Sequence, residues 1–370
     1  MNDDIFEQAA AWLDAGEPVV VATIVRIVGS SSQPLGARMV ITTDNRFVGA
    51  VIGGCVETDV YEAAQDVLAG DGPLMLHYKQ VENPLLEIGL NCDGKIDVLV
   101  ERLGRDLLAL LTAPGTRVNV TLCAPDWPLD PEPLHAQVWP DGTVSADLPP
   151  DVLAGARAAS GDDRAVTHTC PDRRIALFEP VLPPPTLLIF GAEQIAVPLV
   201  RLARVLGFFT IVTDARPAFA TRAKHPDADR VLALWPEDVV ETVDIDARTY
   251  VVSLNHEPRF EDAMLRALAG RRLGYLGAIG KPQRREERAE RAAAAGFDLG
   301  QLPPVYTPVG LDIGGKSPEE IALSILAEIV AVKNGRSGGM LGVEAVAARQ
   351  RPNELPTAFT TEDTEITEKG

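Results

Sequence analysis

The sequence predicts an α/β protein: an N-terminal mixed α/β domain followed by a Rossmann-like domain with a doubly wound parallel sheet. After residue 185, short apolar strands alternate with amphipathic helices, and a glycine turn follows the first strand. Such alternation is typical of a parallel sheet. Three prolines, Pro183 to Pro185, precede it and form a stiff boundary. We therefore expect domains at 1–183 and 184–338 and a partly disordered acidic tail at 339–370.

Composition and net charge argue against several classes of function. The 370 residues suffice for two cores, and the net charge of −19 argues against binding to nucleic acid or to an anionic membrane surface. No apolar run approaches the ~20 residues of a membrane span, and the acidic N-terminus does not resemble a secretory signal. Four cysteines without a Cys-x-x-Cys pair make a zinc ribbon unlikely and fit a reducing cytoplasm, where we expect the protein to reside.

The elements of the first domain follow from periodicity and turn residues. A β-hairpin is predicted across Asp44-Asn45, which tolerate positive φ, and it leads to a helix at 58–68. A second hairpin is predicted at 135–146. The predicted strands are 18–28, 37–43, 47–52, 73–79, 95–101, 116–124, 165–170 and 174–179, and the other helices are 5–15, 106–113 and 151–160.

The run Gly53-Gly54-Cys55-Val56-Glu57 is the main candidate site of this domain. Glycines allow a sharp turn and close approach to a ligand, and the following helix start favours an anion. These conditions lower a thiol pKa and make Cys55 a better nucleophile or ligand. The alternative is that Cys55 is a small buried apolar residue. Cys92 also lies beside a glycine at a strand end, and the two thiols share one cleft if these ends converge.

His168 and Cys170 alternate along one face of a predicted strand. No third ligand follows them at metal spacing, so the sequence predicts no metal site here.

The second domain begins with a βαβ pattern. An apolar strand at 186–190 leads into a turn at Gly191, and Asp214 follows the next strand about twenty residues later, where an acid can bind a ribose hydroxyl. Glu193 stands where the dinucleotide pattern requires glycine. Its charge would repel a pyrophosphate, so NAD(P) is a doubtful cofactor.

The alternation continues to the end of this domain. Ser317 is the predicted N-cap of a helix at 318–333. Ligands of doubly wound sheets bind at the carboxyl ends of the strands. The candidate ligand-binding residues at such ends and in the neighbouring turns are Gly191, Gln194, Asp214, Arg216, Asn255, Gly277, Gly280 and Asp312.

Four ordered motifs together resemble one family. They are GSSSQPLGARMVITTDNRFVGAVIGGCVE, LNCDGKIDVLVERL, YLGAIGK and PVGLDIGGKSPEEIALSILAEIVA, and they span most of the chain. The set resembles the XdhC/CoxI family, accessory proteins of molybdenum hydroxylases such as xanthine dehydrogenase. Glu193-Gln194 departs from the glycine-histidine pair that this family usually carries, which weakens a nucleotide role for that loop.

The resemblance implies a chaperone that binds the molybdenum cofactor, as molybdopterin or its dinucleotide, assists exchange of an oxo ligand for sulfur, and passes the cofactor to an apo-hydroxylase. A cysteine desulfurase is a second candidate partner, and a homodimer is the default assembly. Cys55 would hold a persulfide or contact the cofactor, with Cys92 as second candidate. Gly53, Gly54 and Glu57 would surround the cofactor, and Arg38 would pair with its phosphate.

Two other functions remain open from the residues alone. The Rossmann-like half suits an NAD(P)-dependent oxidoreductase, although fold does not fix function. A docking scaffold without a cofactor would leave the cysteines a structural role.

Overall fold

The computed structural model describes residues 3–54, 56–79, 94–126, 132–161, 163–280 and 284–340. The chain divides into two compact units, Met1–Pro183 and Pro184–Gly370. The predicted acidic tail lies almost wholly outside the described residues, as do Cys55 and Cys92.

A five-stranded antiparallel sheet forms the first part of unit 1. Its strand order is β3-β2-β1-β5-β4. The strands are β1 (Val20–Val28), β2 (Arg38–Ile41), β3 (Phe47–Gly49), β4 (Leu74–Lys79) and β5 (Lys95–Arg102). The predicted hairpin is confirmed: β2 pairs with β3, and Asp44 and Asn45 between them have φ of 60° and 58°, as a tight turn of this hand requires.

Three helices accompany this sheet: α1 (Asp3–Asp14), α2 (Glu57–Ala69) and α3 (Arg105–Thr112). Alternate residues of β1 face different cores: Val20 and Ala22 join the cluster that holds α2, whereas Val21 joins the cluster with Trp12 of α1. Gly70 ends α2 with φ of 119°, a left-handed C-cap that suits glycine. This packing fixes the start of α2 beside the end of the β2–β3 hairpin.

A second, four-stranded sheet completes unit 1. The sequence pattern places these strands in one mixed domain, but the structure separates them from the first sheet, with the order β7-β6-β9-β8. The elements are β6 (Arg117–Cys123), β7 (Leu134–Val138), α4 (Pro150–Ala159), β8 (Val166–Thr169) and β9 (Ile175–Val181). Which strands share a sheet depends on long-range pairing, which single-strand patterns do not encode.

Unit 2 contains a six-stranded sheet with the order β12-β11-β10-β13-β14-β15 and parallel pairing throughout. In chain order this is the 3-2-1-4-5-6 arrangement of a doubly wound fold, which confirms the predicted fold class. The elements are β10 (Thr186–Phe190), α5 (Ala196–Val205), β11 (Phe209–Thr213), β12 (Arg230–Leu232), α6 (Pro236–Thr242), β13 (Thr249–Ser253), α7 (Pro258–Leu268), β14 (Tyr275–Ala278), α8 (Arg284–Ala294), β15 (Val305–Tyr306) and α9 (Pro318–Lys333).

Both faces of this sheet are covered. Leu187 and Ile189 of β10 pack with α5 and α9, whereas Leu188 and Phe190 pack with α6 and α7. This explains why β10 is apolar without alternation. Strand β15 is absent from the sequence analysis, because its two residues are too few to show a period.

Helix α9 begins as predicted. Ser317 accepts the backbone N–H of Glu320, and Glu320 accepts the N–H of Ser317 in return, which forms a capping box. Among the residues that the structure describes, no helix combines the length and apolar character that crossing a membrane requires.

Candidate functional site

The turn before α2 holds the carboxylate of Glu57 in a ring of backbone N–H groups. The donors are the N–H groups of Ile52 at 3.0 Å, Gly54 at 2.6 Å and Val56 at 3.3 Å, together with that of Gly53. Gly53 and Gly54 have φ of 93° and 113°, a region that favours glycine. The N–H groups of this turn therefore hold a carboxylate of the chain itself, and binding of an external anion stays a prediction.

The electrostatics of this turn favour the ionised form of Glu57. Partial burial alone would raise the pKa of the carboxyl, but the N–H groups of Gly53, Ile52 and Gly54 outweigh it and hold the pKa below its usual value. No cation pairs with Glu57 among the described residues. Among these residues, backbone N–H groups are what stabilises its negative charge.

Residues that flank the two cysteines contact one loop, residues 29–36. The hydroxyl of Ser32 donates to the carbonyl oxygen of Ile52, three residues before Cys55. At Gly94, two residues after Cys92, a Cβ would lie only 2.1 Å from the carbonyl oxygen of Ser30. The chain approaches so closely that only glycine fits there. Both cysteines lie outside the described residues, so their contact stays a prediction.

Cations gather where β4 ends and β5 begins. Lys79 and Lys95 face each other directly in the antiparallel register, an arrangement of like charges that is unfavourable unless an anion compensates it. They line a cavity of about 570 Å³ with Arg26, His77 and Asp97. Asp97 accepts from Arg26 and lies 2.7 Å from Nδ1 of His77, so it is not available to neutralise the lysines fully.

Arg38 is not the free phosphate ligand that the sequence analysis expects. It is 4% exposed, and its Nη1 and Nη2 donate to the two carboxylate oxygens of Glu179 at 2.8 and 2.5 Å. Such a bidentate pair is among the stronger side-chain interactions. This partner, 141 residues away in the chain, could not be inferred from local sequence.

In unit 2, a cavity of about 800 Å³ lies at the switch point of the sheet. It is lined by residues that follow β10 and β13, among them Ala192, Gln194 and Leu254, and by residues at the start of α9. Gly191 has φ of 106°, and a Cβ there would lie 3.0 Å from Oδ1 of Asn255. The structure thus brings Gly191, Gln194 and Asn255 to one edge of the sheet, as predicted for the ends of parallel strands.

Asp214 lies at the same edge, but both of its carboxylate oxygens already accept hydrogen bonds. Oδ2 accepts from the N–H of Ala192 at 3.1 Å and from Nη2 of Arg216 at 2.9 Å, and Oδ1 accepts from the N–H and Nε of Arg216. Burial opposes ionisation of this carboxyl, but Arg216 and Ala192 lower its pKa. Asp214 is therefore held internally rather than presented to a ribose hydroxyl.

Arg216 also pairs with the carboxylate of Glu193. Its Nη2 lies 3.2 Å from Oε1 of Glu193, and its guanidinium stacks 4.0 Å from the centroid of Phe219. Bonds to Asp214 and then to Glu193 raise the pKa of Arg216. The charge expected to repel a pyrophosphate therefore has a cationic partner, although the Glu193 side chain still lines the cavity.

The residues predicted from the sequence do not include the basic side chains of this cavity. Lys224, His225 and Lys316 line it. His225 is 3% exposed, and its ring lies beside the backbone of Ala192 and Phe219. Burial, with a smaller contribution from Lys224, lowers its pKa. No motif marks His225, since only the fold brings it beside the Gly191 turn.

The remaining predicted residues lie elsewhere. A Cβ at Gly277 would meet Val309 at 2.5 Å and the Tyr275 hydroxyl at 2.6 Å, so packing explains this glycine. Gly280 follows β14 with φ of 155°. Asp312 lines a separate cavity of about 430 Å³ before α9.

Two family models match this chain, one in each unit. The family model of the XdhC and CoxI family matches residues 12–79, which include the Gly53 turn, and that of the XdhC Rossmann domain matches residues 187–329. The chain belongs to the XdhC and CoxI family.

Relatives of this family align along most of the chain. A Bacillus subtilis protein, described as a probable subunit of xanthine dehydrogenase, is 29% identical and covers 87% of this chain and 96% of its own. The molybdenum cofactor insertion chaperone PaoD of Escherichia coli is 25% identical and covers 90% of each chain. A crystal structure from Bacillus halodurans, described as a xanthine dehydrogenase, is 27% identical with a TM-score of 0.68, covering 90% of this chain and 96% of its own.

Proposed function

We propose that this chain binds the molybdenum cofactor and delivers it to a hydroxylase of the xanthine dehydrogenase type. The observation that carries the proposal is its similarity, over nine-tenths of both chains, to a molybdenum cofactor insertion chaperone. The cofactor is therefore cargo that must be bound and released. A phosphate-bearing pterin is an anion, and the described residues offer several cationic groups and turns rich in N–H donors to such a ligand.

The first candidate for the binding region is the surface around the Gly53 turn. Its support is the exposed pair Gly53 and Gly54, the approach of Ile52 and Gly94 to the 29–36 loop, and the opposed cations Lys79 and Lys95. Cys55 would supply a soft sulfur ligand suited to a molybdenum centre, with Cys92 as the second thiol. Glu57 would position the turn rather than touch the cargo, since four backbone N–H groups already hold it.

The cavity of unit 2 is the second candidate region. Lys224, Lys316 and the buried His225 suit an anionic group. The NAD(P)-dependent oxidoreductase alternative has less support, because Arg216 and Ala192 occupy the carboxylate of Asp214 that would bind a ribose.

The partners follow from the same proposal. An apo-hydroxylase would receive the cofactor, and a cysteine desulfurase would supply sulfur for the oxo–sulfur exchange. We place this exchange in the cytoplasm, where thiols stay reduced, and a homodimer is the assembly that we expect.

Reconstitution tests the function. Apo-hydroxylase, released cofactor and a sulfur source are incubated with and without this protein, and hydroxylase turnover is measured. We expect wild-type protein to increase activation and Cys55→Ala to lose that increase. Cys123→Ala is the matched control, since the Cys123 thiol is buried, and burial, Glu101 and Asp97 raise its pKa to about 12. Equal activation by all variants, or none by the wild type, would contradict the proposal.

A further inference from the structure

We propose that Asp151, His168 and Cys170 form a binding site for a divalent transition-metal ion of the zinc class. Each residue offers one ligand atom, and the three atoms all lie within 4.8 Å of one another. Sulfur, imidazole nitrogen and carboxylate oxygen are the three ligand types that zinc takes in proteins. This site lies beside the second sheet of unit 1 and shares no residue with either candidate cofactor region.

The fold supplies the third ligand that local sequence spacing lacks. His168 lies in β8, an edge strand of its sheet, and Cys170 directly follows the strand, two residues after His168. Cys170 packs in the core cluster that includes Val152 and Ala156 of α4. Asp151 is in the first turn of this helix, so docking of α4 brings its carboxylate to the histidine and the thiol.

The distance between His168 and Asp151 suits two ligands of one metal ion better than a direct hydrogen bond. Nε2 of His168 and Oδ2 of Asp151 are 3.6 Å apart, too far for a good hydrogen bond. Tetrahedral zinc with bonds of about 2.0–2.3 Å holds its ligand atoms about 3.3–3.8 Å from one another. The widest possible separation in the cluster, 4.8 Å, therefore needs to close by only about 1 Å.

An unpartnered oxygen points to the same conclusion. Oδ2 of Asp151 is buried and has no hydrogen-bond partner in the described part of the chain. A buried polar atom without a partner is costly, and a bound cation would compensate it. The Asp151 and His168 side chains are still 38% and 45% exposed, so an ion can enter from solvent, and water can fill the fourth coordination position.

The thiol carries a proton that the ion would replace. Burial, followed by the charges of Asp151 and Asp172 and by a hydrogen bond with the Asp151 carboxylate, raises the pKa of Cys170 to about 11. On binding, the S–H bond breaks, the proton leaves to solvent and the sulfur lone pair forms the bond to the metal, without any change of oxidation state. The bound ion would join the start of α4 to the edge strand β8.

Cobalt titration of the metal-stripped, full-length protein tests the site. Co²⁺ bound by a thiolate gives a sulfur-to-cobalt absorption band, which zinc then abolishes by displacement. We expect this band in the wild type and in Cys55→Ala, and its loss in Cys170→Ser. Since even changes behind the ligands cost about tenfold in metal affinity, His168→Ala and Asp151→Asn should weaken binding by at least about tenfold.

Asp141→Asn is the matched control, because this exposed carboxylate lies in the same unit but outside the cluster and does not affect the pKa of Cys170. It should change cobalt affinity by less than about twofold. Absence of the band in the wild type, or an unchanged band in Cys170→Ser, would overturn the proposal. If Cys170→Ser fails to fold, His168→Ala replaces it as the test, because the His168 side chain is half-exposed. Unchanged cobalt affinity in His168→Ala would equally overturn the proposal.

Discussion

The glycine turns of the two units differ in what stabilises the carboxylate that each one holds. At the first turn, Glu57 is held by four backbone N–H groups. At the second, Asp214 is buried and is held by one backbone N–H of its turn and by Arg216. The second turn is thus held by an ion pair, whereas the first is held by backbone N–H groups at two exposed glycines, Gly53 and Gly54. We infer that the first turn is the better suited of the two to take up and release cargo.

The largest expected effect on stability comes from removing the ion pair between Arg216 and Asp214. Arg216→Ala leaves Asp214 buried without its cation, and we expect the free energy of unfolding to fall by about 3 kcal/mol. Urea titration measures the loss, and hydrogen exchange of the 187–213 segment locates it in unit 2. Arg259→Ala, which removes an exposed pair with Glu257, is the control and should cost less than about 1 kcal/mol. Equal losses of stability in the two variants would contradict a stabilising role for the Arg216–Asp214 ion pair.

The two glycines at these turns provide a matched comparison of backbone strain. Gly191 and Gly53 both have positive φ, but a Cβ meets Asn255 at Gly191 and nothing within 4 Å at Gly53. We expect Gly191→Ala to cost about 2 kcal/mol and Gly53→Ala about 1 kcal/mol, since only the first adds a steric clash to the strained φ. Thermal unfolding measures both, and a larger loss at Gly53 would show that the first turn is the more constrained.

Removal of the charge at the first turn should give a smaller, pH-dependent effect. Because the pKa of Glu57 is lowered on folding, its contribution is complete above the unfolded pKa of about 4.3 and is lost as pH falls through the folded pKa. Glu57→Gln should therefore cost about 1 kcal/mol at pH 7, and the gap from the wild type should narrow below pH ~4. The urea midpoints of both proteins, measured across this pH range, test the prediction. A stability difference that does not change with pH would mean that the charge of Glu57 does not stabilise the turn.

The smallest effect on stability should be accompanied by a change in binding. Lys95→Gln removes a like-charge contact with Lys79, so it should stabilise the fold by less than about 0.5 kcal/mol while weakening cofactor retention. Lys333→Gln, at the far end of α9, is the control for overall charge. Lower retention in both variants alike would mean that the lysine pair has no specific role.

The fold was largely predictable because its signals are local. The Asp44-Asn45 turn, the Ser317 cap and the apolar strand Thr186–Phe190 each carry their own chemistry, and each appears in the structure as predicted. The separate second sheet of unit 1 and the two-residue β15 were not predictable, since long-range pairing decides the first and the second is too short for periodicity.

The candidate site was less predictable, because partners distant in sequence decide which groups are free. Glu179 takes the guanidinium of Arg38, Arg216 takes the carboxylate of Asp214, and the fold alone brings His225 to the cavity beside Gln194. Sequence spacing shows which chemistry is available but not whether another residue of the chain already uses it.

Cofactor retention tests the central claim most directly. The full-length protein is mixed with released molybdenum cofactor and ultrafiltered, and the retained molybdenum and pterin are quantified. We predict near-stoichiometric retention by the wild type, Cys123→Ala and Gln194→Ala, and its loss in Cys55→Ala. Retention by Cys55→Ala together with its loss in Gln194→Ala would contradict the account and move the binding site to unit 2.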